Sequence, residues 1–246
     1  VVAGGAIVAV RWIMAVKAGP RLAAACRELP SSPIVLPPGE VSAIGDDSVA
    51  ERHFSTLPEL YRSEAAEDEL RAPGFSDTFV PGEGEVGARL MLIGEQPGNQ
   101  EDLTGHPFVG PAGHLLDENL AAIGVDRMTT FVTNAVKRFK FTLRGKRRLH
   151  QTPNAGDIAR YRWWLKEEVR LVKPSVVVAL GRTALRALDG VSLKNDRGAL
   201  LSWNGRKLLA TIHPSYLLRL HDRRDEEEAR FREDLRTAAR GAGYGV

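Results

Sequence analysis

The chain has a single cysteine, Cys26, in 246 residues. It can form no intramolecular disulfide, and cysteines alone cannot build a metal cage or an iron–sulfur site within it, since each takes about four ligands. A reducing, cytoplasmic setting fits that scarcity. The chain also lacks the clean apolar run of about 20 residues that a membrane span requires. Its most apolar stretch, VVAGGAIVAV followed by WIMAV, is split by Arg11 and has neither a basic leader nor an initiating Met. That stretch reads as a degenerate signal-like segment, a helix lying on the domain, or translated upstream sequence with Met14 as one candidate start. No internal repeat is found. A composition of 43% hydrophobic and 26% charged residues matches ordinary globular proteins and excludes wholesale disorder. We expect a monomer that does not bind membranes.

The net charge of +3 conceals an uneven distribution. Residues 40–78 carry three Arg against ten Asp or Glu, and the excess positive charge lies mostly in residues 79–246. Residues 30–48, with Pro30, Pro33, Pro37, Pro38, Gly39 and Gly45, read as a linker. Residues 59–71 predict one amphipathic helix with Leu60, Glu64 and Glu67 at helical spacing. We therefore divide the chain into an N-terminal extension, 1–77, and a domain over 78–240.

Within that domain short apolar runs alternate with helical patterns. Strands are predicted at 89–94, 131–135, 175–180 and 207–212. Helices are predicted at 112–123, from Thr152-Pro153-Asn154 to about Val172, from Gly181 through Leu188, and at 225–240. Alternation of this kind implies an α/β fold, a three-layer αβα sandwich around a four-stranded parallel sheet. Ligands of such sheets gather outside the carboxyl ends of the strands. Three of those ends carry unusual polar residues: Glu95 and Gln96 between glycines, then Asn134, then His213-Pro214-Ser215. Each alone is ordinary turn chemistry. Together they equip a pocket for a polar heterocycle, with an amide donor and acceptor from Asn134 and a proton or positive charge from His213.

Residues 137–148 add seven basic side chains and no acid, with Phe139 and Phe141 interleaved. Beside a base-sized pocket, such an arm points to nucleic acid rather than a free nucleoside. Its end places His150 at the pocket edge. His53, His106, His114 and His221 read as structural or surface residues.

Six blocks in order, GEQPGN (94–99), GHPFVGPAG (105–113), VTNAVK (132–137), KRRLHQTP (146–153), VVALG (177–181) and HPSYLLR (213–219), resemble the uracil-DNA glycosylase superfamily. Within it they are most similar to the X-type branch, relatives of the type-4 enzymes that become covalently joined to the abasic site they create; the KRRLHQTP block is that branch's signature. The resemblance implies that Phe108 stacks on the flipped base, Asn134 reads the uracil edge and the Gln96 loop adds contacts. It implies that His213 stabilises the leaving base, His150 attacks the sugar and Glu95 positions or activates His150. Lys137, Lys140, Arg144, Lys146, Arg147 and Arg148 are expected on DNA phosphates, as are Ser215 and Arg219, with Tyr216 and Leu217 in a loop that props the duplex open. The partner would be uracil-containing DNA, single- or double-stranded.

The family usually carries a 4Fe-4S cluster held mainly by cysteines, and those ligands are missing. The matching positions hold Ser55, Pro58, Arg138 and Tyr161, so we expect no cofactor and no metal, with packing by Tyr161, Trp163 and the acidic segment in the cluster's place. Three activities remain open: a glycosylase that ends as a covalent DNA adduct through His150, a hydrolytic glycosylase that turns over, and a non-catalytic binder of uracil-containing or damaged DNA.

Overall fold

The computed structural model describes residues 53–67, 70–188 and 196–246. The apolar N-terminal stretch, Met14, Cys26 and the linker over 30–48 lie outside the described residues. The chain divides into two units, Val1–Glu51 and Arg52–Val246, and the second alone is described here.

Five strands form the main sheet. β1 (Leu90–Gly94), β2 (Thr130–Asn134), β5 (Val176–Leu180) and β7 (Arg206–Thr211) are mutually parallel, and β6 (Leu200–Trp203) runs antiparallel to β7 at the edge, giving the order β2-β1-β5-β7-β6. The four expected strands are all present. The fifth is short, half-exposed and weakly patterned, and the signal that marks it is the Asn204-Gly205 pair between β6 and β7. Both residues adopt positive φ, 45° and 73°, as the twist-matched two-residue hairpin demands. The parallel strands are apolar throughout because both faces are covered. Met91, Ile93, Phe131, Val177 and Ala179 point to one core, and Leu90, Leu92, Val132, Val176 and Val178 to the other.

Helices complete the two outer layers. α1 (Leu57–Ala66), α4 (Ala155–Val172) and α5 (Gly181–Ala187) serve the first core, and α3 (Pro111–Ala122), α6 (Pro214–Leu217) and α7 (Arg224–Gly241) the second. A short helix, α2 (Asn99–Thr104), follows β1. Asn154 caps α4 by accepting from the Asp157 amide, and Asp157 returns the bond to the Asn154 amide, a reciprocal cap. The helix stops where Lys173 turns left-handed at φ 57° before Pro174. α1 realises the predicted acidic helix with a shifted frame. It buries Leu57, Leu60 and Glu64, so part of the expected extension packs into the domain core.

The basic arm is not an open loop. β3 (Phe141–Arg144) and β4 (Arg147–His150) pair as an antiparallel hairpin separate from the main sheet. Among the described residues, no helix is long and apolar enough to cross a membrane.

Candidate active site at the carboxyl ends of the sheet

β1 has β2 on one side and β5 on the other, so the chain leaves its carboxyl end in opposite directions around one crevice, the usual place for a ligand in such sheets. A cavity opens there, lined by Glu95, Gln96, Phe108, Asn134, His150, Thr183, His213 and Tyr216 among others. The sheet register sets Gly94 beside Asn134. A Cβ on Gly94 would stand 2.4 Å from the Asn134 Oδ1 and 2.6 Å from the Phe108 Cζ, so only glycine lets β1 end this close to both side chains.

Asn134 is 4% exposed, and its carboxamide makes no hydrogen bond to any described residue. A buried amide costs free energy unless a ligand or water completes it. Its donor and acceptor are therefore available on the cavity wall. Phe108 is also buried and holds φ at 57°, a conformation that aromatic residues rarely adopt and that clusters at functional sites. Its ring lies 6.1 Å from that of His213 at an interplanar angle of 27°, so the two rings form one wall.

His213 caps α6. Its Nδ1 accepts from the Ser215 amide at 3.2 Å and lies 2.9 Å from the Ser215 Oγ. An accepting Nδ1 leaves the proton of a neutral ring on Nε2. Burial, followed by the opposing pull of Glu95 and the repulsion of Arg219 and His150, brings the His213 pKa down to about 4. At neutral pH the ring is thus a neutral donor, which narrows the expectation of either a proton or a positive charge.

Glu95 and His150 meet at the cavity mouth, with Glu95 Oε1 3.1 Å from His150 Nε2. The second carboxylate oxygen accepts from the Thr183 Oγ1 at 2.6 Å. Burial works against the charge on Glu95, but the bonds to His150 and Thr183 and the nearby His213 win and hold its carboxyl below the usual value. His150 is half exposed at the end of β4, where a bulky substrate can reach it.

Several expectations require correction. The Gln96 carboxamide donates to the carbonyls of Lys140 and Gln151 and accepts from the Lys140 amide. It stitches down the base of the hairpin that carries His150, so the carboxamide is engaged there while Gln96 still lines the cavity. Lys137 is fully buried and paired with Glu168 at 2.7 Å, which removes it from any phosphate surface. Lys140 is paired with Asp157, and Arg148 with Asp102 and Asn99. Arg148 also lies over Phe139 and Phe141, at 5.4 and 5.3 Å from the ring centroids, so its charge anchors the hairpin to α2. Leu217 is fully buried in the core, and the exposed apolar side chains of that loop are Tyr216 and Leu218. Arg144, Lys146 and Arg147 remain exposed at the hairpin tip. Ser215 is engaged with His213 and accepts from Arg219 at 3.3 Å.

Sequence reasoning missed Thr183, Arg182 and Arg186, which α5 brings to the cavity wall. The Gly181-Arg-Thr start of a helix directly after a buried strand was the available signal, because it places those side chains at the same carboxyl edge as Glu95.

The positions that the resemblance assigns to cluster ligands do not fit a cluster. Arg138 is buried and donates to the carbonyls of Asp77 and Ala65, and the Tyr161 hydroxyl donates to the Leu70 carbonyl at 3.0 Å. Beside them lies Glu64, fully buried, with neither oxygen hydrogen-bonded. A guanidinium, a phenol and a carboxyl offer no thiolate for iron. No group of three or more metal-ligating side chains occurs among the described residues.

Residues 81–236 match the model of the uracil DNA glycosylase superfamily. The chain is 39% identical over 163 residues to the type-4 uracil-DNA glycosylase of Thermotoga maritima, covering 65% of this chain and 80% of that protein. It is 33% identical over 165 residues to the type-4 enzyme of Archaeoglobus fulgidus, covering 63% and 79%. It is 31% identical over 160 residues to the type-5 uracil-DNA glycosylase of Pyrobaculum aerophilum, covering 56% and 66%. A match over more than half of the chain, with its motifs gathered around one crevice of the α/β sheet, means that this protein belongs to the uracil DNA glycosylase superfamily.

Proposed function

We propose that the protein excises uracil from DNA and remains attached to the resulting abasic sugar through His150, as members of the X-type branch do. The observation that carries this reading is the Glu95–His150 contact of 3.1 Å at the mouth of a cavity whose interior holds the unpartnered Asn134 carboxamide. A flipped base would stack on Phe108 and pair its edge with Asn134. As the bond between C1′ and N1 breaks, its electron pair leaves on uracil. His213, neutral and protonated on Nε2, donates to the developing anion, and a donor already in place is worth most in a site from which water is excluded. One His150 nitrogen supplies its lone pair to C1′, and Glu95 accepts the remaining ring proton. Tyr216 and Leu218 would enter the opened duplex. Arg144, Lys146, Arg147 and Arg219 would meet phosphates, with Arg182 and Arg186 on the far wall. Action as a cytoplasmic monomer on single- or double-stranded uracil-containing DNA, without a cluster, belongs to the same proposal.

The matched relatives are named type-4 rather than X-type enzymes, which leaves room for a second reading, hydrolysis with turnover, in which water takes the place of His150. Incubation with a uracil-containing oligonucleotide followed by denaturing electrophoresis separates the two. We expect a shifted protein–DNA band from the wild type. His150→Ser should abolish the band and give a cleavable abasic product instead, because the groups that release the base are intact and a water can reach the sugar. An undiminished adduct in His150→Ser, or a crosslinked peptide mapping to another residue, would sink the assignment.

A further inference from the structure

We infer that Thr183 is a positioning residue that fixes the Glu95 carboxylate for its work on His150. This rests on the proposed attack by His150. The two oxygens of Glu95 are divided between two partners: Oε2 accepts from the Thr183 Oγ1 at 2.6 Å, and Oε1 faces the His150 Nε2 at 3.1 Å. The terminal torsion of a glutamate is soft and broad, so a carboxylate held at one oxygen alone would swing past its other partner. Thr183 supplies the second point. It is 5% exposed, and its β-branched side chain is stiff about χ1. Threonines inside helices commonly bond back to a carbonyl of the preceding turn. This one instead reaches a residue 88 positions earlier in the chain.

The histidine is fixed independently. Gln96, next to Glu95 in sequence, clamps both ends of the hairpin at Lys140 and Gln151. The acid is therefore aimed from α5, while its histidine is aimed from the hairpin, and consecutive residues of the β1 loop connect the two. The Thr183 bond also helps to keep Glu95 ionised against its burial.

The test is single-turnover reaction of the full chain with a uracil-containing oligonucleotide, following adduct and free abasic product together. Thr183→Val keeps the shape and removes the donor. It should lower the ratio of adduct to abasic product about ten-fold, the usual consequence of losing a hydrogen bond to a charged group. Thr183→Ser, which keeps the donor, should restore the ratio. An unchanged ratio in Thr183→Val would overturn the inference, as would equal losses of adduct and abasic product, which mark a merely structural role. If Thr183→Val does not fold, Thr183→Ala against Thr183→Ser poses the same contrast. A wild-type adduct that survives in His150→Ser is a separate outcome, which removes the underlying reading and the role of Thr183 with it.

Discussion

The crevice at the carboxyl ends of the sheet and the interior between β2, α1 and α4 are both rich in polar side chains, yet they treat them in opposite ways. In the crevice, the Asn134 carboxamide and the Nε2 of His213 make no hydrogen bond among the described residues, and both residues line the cavity. In the interior, Lys137 donates to Thr133 and Glu168, while Tyr61 and Thr133 also donate to Glu168. Lys137 and Glu168 are both fully buried. Hydrogen-bonding capacity held in reserve beside a cavity marks a ligand site, whereas capacity consumed internally marks a structural one. The two regions share strand β2, which carries Thr133 into the interior and Asn134 into the crevice. Alternate side chains of a strand face opposite ways, so one residue separates a structural group from a recognition group.

The comparison breaks most severely at the interior. Lys137→Met should leave Glu168 as a buried charge without its cation, costing about 3–5 kcal/mol of folding stability. Chemical denaturation measures this directly. Replacing Lys137 and Glu168 together with apolar residues should recover much of the loss, since the cost lies in the orphaned charge. A Lys137→Met protein within about 1 kcal/mol of wild type would show that the interior does not depend on this pair.

At the crevice the same kind of change should spare the fold and remove the chemistry. Asn134→Asp takes away the amide donor and sets a carboxylate against a uracil carbonyl. Excision should fall about 100-fold, the equivalent of a lost hydrogen bond plus an uncompensated buried group. The denaturation midpoint should stay close to wild type. Excision at the wild-type rate would mean that the base is read elsewhere.

Glu64 sharpens the comparison, because it lies in the interior with unpartnered oxygens. Burial, against the attraction of Lys137 and with the repulsion of Glu168, raises its pKa to about 8. Between the ordinary value of 4.5 and about 8, the folded chain keeps a proton that the unfolded chain has released. Its contribution to stability is therefore complete below 4.5 and is lost as pH rises through that window. Glu64→Gln has no proton to lose. Relative to wild type it should gain about 3–4 kcal/mol between pH 5 and 8, since each unit of that window is worth about 1.4 kcal/mol. His213 gives the opposite slope, because its pKa is depressed to about 4 and stability is lost as pH falls below 6.5. Both proteins share that slope, so the difference curve isolates Glu64. A flat difference would show that Glu64 is ionised in the folded protein.

The crevice was legible in the sequence because glycine-flanked polar residues follow buried strands, and local patterns of that kind survive without coordinates. Glu95, Phe108, Asn134, His150 and His213 all reach one cavity. The interior was not legible. Nothing local distinguishes Lys137, buried against a carboxylate 31 residues later, from Arg144, exposed seven residues on in the same basic run. Burial there depends on how α1 and α4 close over the loop after β2. Leu217 and Leu218 differ for the same reason, since only the position of α6 against α3 decides which leucine enters the core. The edge strand β6 was missed because four residues give too short a pattern, although Asn204-Gly205 announced its turn.

The smallest effects should come from the charges that neither region consumes. Arg144, Lys146 and Arg147 extend from the hairpin tip, whereas Lys140 and Arg148 of the same hairpin are tied to Asp157 and Asp102. A free surface cation that meets one phosphate releases about one counterion, so neutralising Arg147 should lower the slope of log affinity against log salt by about 0.9. It should weaken DNA binding a few-fold and equally for all sequences, because phosphate contacts carry no sequence information. Arg148→Gln should behave differently despite removing the same charge. It frees the hairpin from α2 and leaves Asp102 unpaired, so adduct formation should suffer more than the salt slope does. Salt titrations of the two variants on one uracil-free duplex, paired with adduct assays on the uracil-containing strand, make the distinction. Equal slopes and equal adduct losses in both would show that the pairing of Arg148 has no consequence for how the hairpin presents His150.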